Sequence, residues 1–306
     1  MSAYFTIIGL IAAGWALARL SALPKATPEV LNAFVITLCL PAIILIHVPT
    51  LEPAWQLLPL VLIPWLLLAA TAIGVLALSR WFGLRRDVTA SLLVLIPLGN
   101  TSFLGFPLVE ALLGPEAIRL AVVYDQFGSF LIVCTHVLFV VGWYGEGDNP
   151  DWRSMGRKVV SFPPFLALIF ALIFGNGWMP TGLMSLTERF ADMLLPLVTI
   201  AIGLGLQLRL VPDFRKGLVI GLIGKLLFLP ALAMGLAWLM GAAGEIAVVA
   251  VLESAMPPMI TAAALLASAR LAPALGSALV AWGVVISAMT VPLWFWLASA
   301  VFGGNG

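Results

Sequence analysis

Apolar residues run along this chain in blocks of about twenty, the length an α-helix needs to cross the hydrocarbon core of a bilayer. Short clusters of charged residues, glycine and proline separate the blocks. Blocks near 3–20, 30–49, 55–79, 88–112 and 117–144 fill the first half. A polar stretch from Gly145 to Lys158 follows, and blocks near 159–176, 187–207, 216–240, 244–268 and 273–302 fill the second. The pattern predicts an all-α polytopic membrane protein of ten transmembrane helices. It divides into a five-helix repeat over 1–144, a linker over 145–158 and a second five-helix repeat over 159–306. The first block resembles a secretory signal, with Ala16-Leu17-Ala18 like a cleavage site, but its first cation, Arg19, follows the apolar run instead of preceding it, so it is read as a span.

Composition narrows the class further. The chain is 62% hydrophobic and only 9% charged, with a mean hydropathy of +1.14, whereas a soluble domain carries roughly 25% charged residues. No sizeable soluble domain fits beside the spans. The net charge of +1 points to neither nucleic acid nor a polyanion. Cys39 and Cys134 lie inside apolar runs and read as buried thiols, not as a disulfide or metal pair. The placement of charge matters more than its sum. With the N-terminus outside, the inner loops hold Arg19, Lys25, Arg80, Arg85, Arg86, Arg153, Arg157, Lys158, Arg209, Arg215, Lys216 and Arg270, and the outer loops only Arg119 and Arg189. Cytoplasmic loops accumulate Lys and Arg, so both termini are expected outside the cytoplasm and the linker within it.

Five spans per half oblige the halves to be inverted relative to one another, as in many transporters. Pro41 answers Pro196, and Gly114-Pro115 answers Ala272-Pro273. The fourth and ninth spans are both broken near their middles, by the run from Gly99 through Asn100, Thr101 and Ser102 to Pro107 in one and by Glu253-Ser254-Ala255-Met256-Pro257-Pro258 in the other. Proline lacks the N–H that a helix needs, so these segments should unwind and free backbone groups at membrane depth. Such groups need partners, and a bound substrate or ion is one source.

Charges within spans are costly and seldom kept without purpose. Glu253, Asp125 and Lys225 are the deepest. Glu253, beside Ser254 and the proline pair, is the candidate to bind a coupling proton or cation, the plainer reading being a structural partner for Lys225. Asp125, in Tyr124-Asp125-Gln126, either faces the first broken helix or is solvated near an outer end. His47 and His136 read as satisfied interhelical histidines, Glu110 and Asp192 as interfacial carboxylates, and Trp143, Trp178 and Trp294 as an aromatic belt.

The fourth-span motif, followed by Gly114 and Tyr124-Asp125-Gln126, resembles the auxin efflux carrier family, and Glu253-Ser254-Ala255-Met256-Pro257-Pro258 is similar to that family's second crossover. The likeness spans essentially the whole chain, and the short linker looks like the bacterial members, commonly labelled malate or malonate permeases. It implies a bile acid sodium symporter-like architecture, with crossover helices 4 and 9 moving relative to a scaffold, and a carrier for organic anions such as malate, malonate or auxin-like acids. It also implies substrate contacts at Asn100, with Thr101 and Ser102 beside it, around Pro107, and at Ser254, Pro257 and Pro258. Neither coupling ion nor substrate transfers with the resemblance.

The expectation is therefore a secondary active transporter in the bacterial inner membrane, working by alternating access. Glu253, Asp125 and Lys225 are the candidates for ion or proton coupling. No cofactor is expected beyond a coupling H+ or Na+. The expected partners are a small organic anion and the lipid bilayer, with a homodimer left open and nucleic acid excluded. Two other classes compete: a membrane receptor that binds a ligand without moving it, and an intramembrane enzyme. The second lacks any H-E-x-x-H, magnesium-suited acidic pair or nucleophile beside a base.

Overall fold

The computed structural model describes residues 2–20, 23–51, 55–145, 160–209 and 211–303. Beyond Gly145, the linker expected at 145–158 lies outside the described residues, as do Arg153, Arg157 and Lys158. The described chain is helical, with no named strand among the described residues. Among the described residues, five helices are long and apolar enough to cross a membrane: α2 (Thr27–Thr50), α3 (Trp55–Phe82), α6 (Pro115–Tyr144), α10 (Pro212–Leu239) and α13 (Pro273–Phe302). The described residues also form shorter helices: α1 (Ser2–Arg19), α4 (Arg86–Leu95), α5 (Thr101–Leu113), α7 (Pro163–Phe174), α8 (Thr181–Asp192), α9 (Leu194–Gly205), α11 (Gly244–Ala255) and α12 (Ile260–Ser268). The chain is thus a polytopic membrane protein.

Its helices form two compact units, each drawing on both halves of the sequence. The first comprises Met1–Pro53, Ser102–Val122 and Arg153–Leu206. Within it α1 lies along α9 with their backbones in contact. A Cβ built on Gly203 would overlap the Ile11 carbonyl oxygen and the Trp15 nitrogen, and one on Gly14 the Ile200 carbonyl oxygen. Glycine is needed at both positions for this approach, as at other close membrane-helix crossings. Helix α2 packs on α7, α8 and α9.

The second unit comprises Ala54–Thr101, Val123–Trp152 and Gln207–Gly306. At its centre are α4 and α11, whose residues Val88–Leu95 and Ala247–Ala255 are all buried. A helix apolar on every side belongs in such a position. Around them pack α3, α6, α10 and α13. The residues before the proline-started helices α6 and α13 share a feature: Gly114 has φ +98° and Ala272 φ +44°. The left-handed turn expected of glycine is thus met in the second half by an alanine, which is strained there.

Prolines within or just after these helices, and irregular turns, leave carbonyls without their usual donors, and side chains from neighbouring helices fill the places. Pro97 cannot donate to Leu93; the His136 ring bonds that carbonyl through Nε2 at 3.0 Å. Pro230 cannot donate to Leu226; Trp294 Nε1 does so at 2.8 Å. In α6, just past the π-helical turn Asp125–Phe130, the Leu131 N–H goes to Gly128, three residues back, and not to Phe127, and Trp65 Nε1 takes up the Phe127 carbonyl at 3.0 Å. His136 is therefore a satisfied interhelical histidine, as expected. Trp294 is not part of an aromatic belt. It is buried and bonded inside the second unit, whereas Trp143 is exposed.

Candidate binding site

The two breaks meet within the second unit. Helix α4 ends at Leu95 and α5 begins at Thr101; α11 ends at Ala255 and α12 begins at Ile260. The first break thus covers Ile96–Asn100 and is set by Pro97, not by Pro107. Pro107 lies within α5, just after the π-helical turn Thr101–Gly105, and the helix continues through it to Leu113. The second break holds Pro257 and Pro258, as the sequence predicts.

The unwound segments pair with each other. Gly99 and Pro258 form an antiparallel bridge, flanked by Asn100 N–H to the Pro257 carbonyl at 2.8 Å and Met259 N–H to the Leu98 carbonyl at 3.1 Å. In this pattern residues 99 and 258 are the pair that exchanges no bonds, so proline is tolerated at 258. The ladder stops there because Pro257 has no N–H to return to Asn100. Two of the backbone donors that the breaks release are therefore matched within the protein, a bound substrate or ion being the one source the sequence named.

The approach is close. A Cβ on Gly99 would lie 3.1 Å from the Glu253 carbonyl oxygen, 3.1 Å from Lys225 Nζ and 3.2 Å from Met256 Cβ. Beneath the second break, a Cβ on Gly283 would lie 2.5 Å from Pro258 Cδ.

Around this crossing gather polar side chains from α4–α5, α6, α10 and α11. Thr101 donates its hydroxyl to Asp125 Oδ1 at 2.5 Å, and Gln126 donates its amide to Asp125 Oδ2 at 2.8 Å. Asp125 is 2% exposed, so it faces the first broken helix and is not solvated at a span end. Lys225, 1% exposed, donates to the Ser254 carbonyl at 3.1 Å. That carbonyl is the one Pro258 leaves without its i+4 donor, so Lys225 repeats the role of His136 and Trp294 with an ammonium. Ser254 turns its hydroxyl onto its own helix, donating to Val251 at 2.7 Å.

Glu253 is fully buried, and neither carboxylate oxygen has a hydrogen-bond partner. Lys225 and Asp125 are in its electrostatic neighbourhood. Lys225 is not its direct ion-pair partner; the ammonium is on the neighbouring carbonyl instead. The Asn100 amide nitrogen and Gln126 Oε1 are likewise buried without partners. Three residues in this cluster stand in π-helical turns: Thr101 in Thr101–Gly105, Asp125 in Asp125–Phe130 and Lys225 in Gly224–Phe228. Such turns rotate the following residues off the regular helical face and recur at functional sites.

Of the predicted site residues, Asn100, Thr101, Asp125, Lys225, Glu253, Ser254, Pro257 and Pro258 are thus brought into one unit. Ser102 and Pro107 belong to the first. Sequence reasoning passed over Gly99, Gln126 and Gly283 as site residues, and Pro97 as the breaker. Among the described residues no three His, Cys, Asp or Glu side chains gather as a metal site.

A family model described as "Membrane transport protein" matches residues 1–149 and 152–295. The chain is similar to an "Uncharacterized transporter" of Methanothermobacter thermautotrophicus, 28% identical over 295 residues that cover 94% of this chain and 95% of that protein. It is also similar to the "Uncharacterized transporter MJ1031" of Methanocaldococcus jannaschii, 23% identical over 306 residues that cover 97% and 98%. A multi-pass helical chain matched along almost its whole length in this way belongs to the membrane transport protein family, that of the auxin efflux carriers.

Proposed function

We propose that the protein is a secondary active carrier of small organic anions that works by alternating access, with its binding site at the crossing of the two broken helices. The observation that carries this reading is the crossing itself. Two unwound segments, one from each half of the sequence, join backbone to backbone and leave buried side-chain atoms of Asn100, Gln126 and Glu253 without partners. A packed core has no use for such a set, because each unmet buried group costs about 1–3 kcal/mol.

In this reading the chain crosses the inner membrane ten times as two inverted five-helix repeats, over 1–144 and 159–306, with both termini outside. Asn100 and Lys225 supply donors for the anion, with Thr101, Ser254, Pro257 and Pro258 shaping the site. Glu253 carries the coupling proton or sodium ion, and Asp125 holds the first crossover through Thr101. Movement of the crossover helices against the others exposes the anion to each side in turn.

The test is uptake of labelled malate, malonate and an aromatic monocarboxylate into vesicles containing the purified protein, under imposed proton or sodium gradients. Saturable uptake that Asn100→Ala abolishes is expected. Saturable binding without flux would make the protein a receptor, and absence of both would overturn the anion reading.

A further inference from the structure

The hydrogen-bonding inventory at the crossing is lopsided. Three buried acceptor atoms lack partners there, Gln126 Oε1 and both Glu253 carboxylate oxygens, against one unpartnered donor group, the Asn100 amide nitrogen. Of the other donors close by, Thr101 and the Gln126 amide are engaged on Asp125, Ser254 on Val251 and Lys225 on the Ser254 carbonyl, and the Tyr124 hydroxyl lies in the electrostatic neighbourhood of Glu253. A bare carboxylate brings only acceptors. It can satisfy Asn100 and the remaining protons of Lys225, but it offers nothing to Gln126 or to an ionised Glu253, beside which it adds a further negative charge.

We infer that the crossing selects carboxylic acids that carry a hydrogen-bond donor of their own, a hydroxyl or N–H near the carboxylate, over isosteric acids that lack one. The carboxylate end of such a ligand meets Asn100 and Lys225, and its donor meets Glu253 or Gln126. Both sides of the inventory are then matched. Sites built to bond a substrate hydroxyl discriminate strongly against analogues without it, because the protein groups are left unpaired in the wrong complex. The inference rests on the organic-anion reading above and names the substrate class within it.

The experiment measures equilibrium binding to the purified full-length protein in lipid nanodiscs, at a mildly alkaline pH where all the acids used are fully ionised. Two pairs differ only by a hydroxyl: malate against succinate, and hydroxymalonate against malonate. The hydroxy acid of each pair is expected to bind at least about tenfold more tightly. Glu253→Gln exchanges one acceptor oxygen for an amide donor, so the advantage of the hydroxyl should shrink to within about threefold as the bare acids gain. Gln126→Met, which removes the other acceptor, serves as the second variant should Glu253→Gln fail to fold.

Equal affinities within both pairs would overturn the inference while leaving an anion carrier standing. An advantage that both variants leave unchanged would overturn the assignment to these side chains. Binding of none of these acids, nor of an aromatic acid bearing an N–H, would overturn the anion reading and the inference with it.

Discussion

Replacing Trp294 by Phe tests whether neighbouring side chains stand in for the helix hydrogen bonds that proline removes. Trp294 Nε1 donates to the Leu226 carbonyl at 2.8 Å, and both residues are buried. Phe keeps an aromatic ring in place but has no donor. The lost bond and the unmet carbonyl amount to about 1 kcal/mol net, between the average of about 0.6 and the maximum of about 1.7 kcal/mol for interhelical bonds in a membrane protein. The smaller ring removes packing worth about another 1 kcal/mol. The single variant is therefore expected to lose about 2 kcal/mol, and the loss alone does not separate the two causes. Pro230→Ala does, because alanine returns an N–H four residues after Leu226. In that background Trp294→Phe should cost only the packing part, leaving a coupling of about 1 kcal/mol between the sites. Reversible unfolding of the four proteins in mixed micelles, followed by circular dichroism, measures the cycle. Equal costs in the two backgrounds, within about 0.3 kcal/mol, would refute the reasoning.

Gly283→Ala places a Cβ 2.5 Å from Pro258 Cδ, so the second break must shift; a loss of about 1–3 kcal/mol together with weakened ligand binding is expected in thermal unfolding and nanodisc titrations. Gly203→Ala drives a methyl group into the backbone of α1 at Ile11 and Trp15, which a side-chain rotation cannot relieve. It should cost at least about 2 kcal/mol and lower the melting temperature without the direct effect on ligand selection expected of Glu253→Gln. Ala272→Gly acts in the opposite direction. Its φ of +44° costs an alanine about 1–2 kcal/mol, and after the added freedom of glycine in the unfolded chain a gain of roughly 0.5 kcal/mol should appear as a raised melting temperature.

The long apolar blocks were legible because a membrane-spanning helix declares itself by length and composition alone. Predicted blocks 55–79, 117–144 and 273–302 correspond closely to Trp55–Phe82, Pro115–Tyr144 and Pro273–Phe302. The second break was legible for a similar reason: adjacent prolines at 257 and 258 interrupt a helix whichever way it faces. The first was harder. A proline that ends a helix and one that a helix runs through look alike in sequence: Pro97 follows the last turn of α4, while α5 continues through Pro107 just after the π-helical turn Thr101–Gly105. Nothing local to either residue distinguishes the cases. Rotation about a helix axis was equally hidden. Asp125 read as equally suited to solvent and to the first broken helix, and Trp294 as a belt residue. Their burial depends on π-helical turns and helix packing that an apolar pattern does not encode.

Unwound backbone at membrane depth is tolerated only where its polar groups find partners, and the way they are found here divides the work between backbone and side chains. Leu98 with Met259 and Asn100 with Pro257 match the two breaks to each other. Lys225 takes the carbonyl freed by Pro258, as His136 and Trp294 take those freed by Pro97 and Pro230. These contacts fix where the breaks cross, and Gly99 and Gly283 permit the approach. The unmet side-chain atoms at the crossing belong to Asn100, Gln126 and Glu253, and a side chain can exchange partners by changing rotamer while the backbone ladder holds. A ligand that matches those atoms therefore competes with no bond that maintains the crossing. It follows that glycine and proline substitutions here should act first on stability, whereas Asn100, Gln126 and Glu253 substitutions should act first on what is bound.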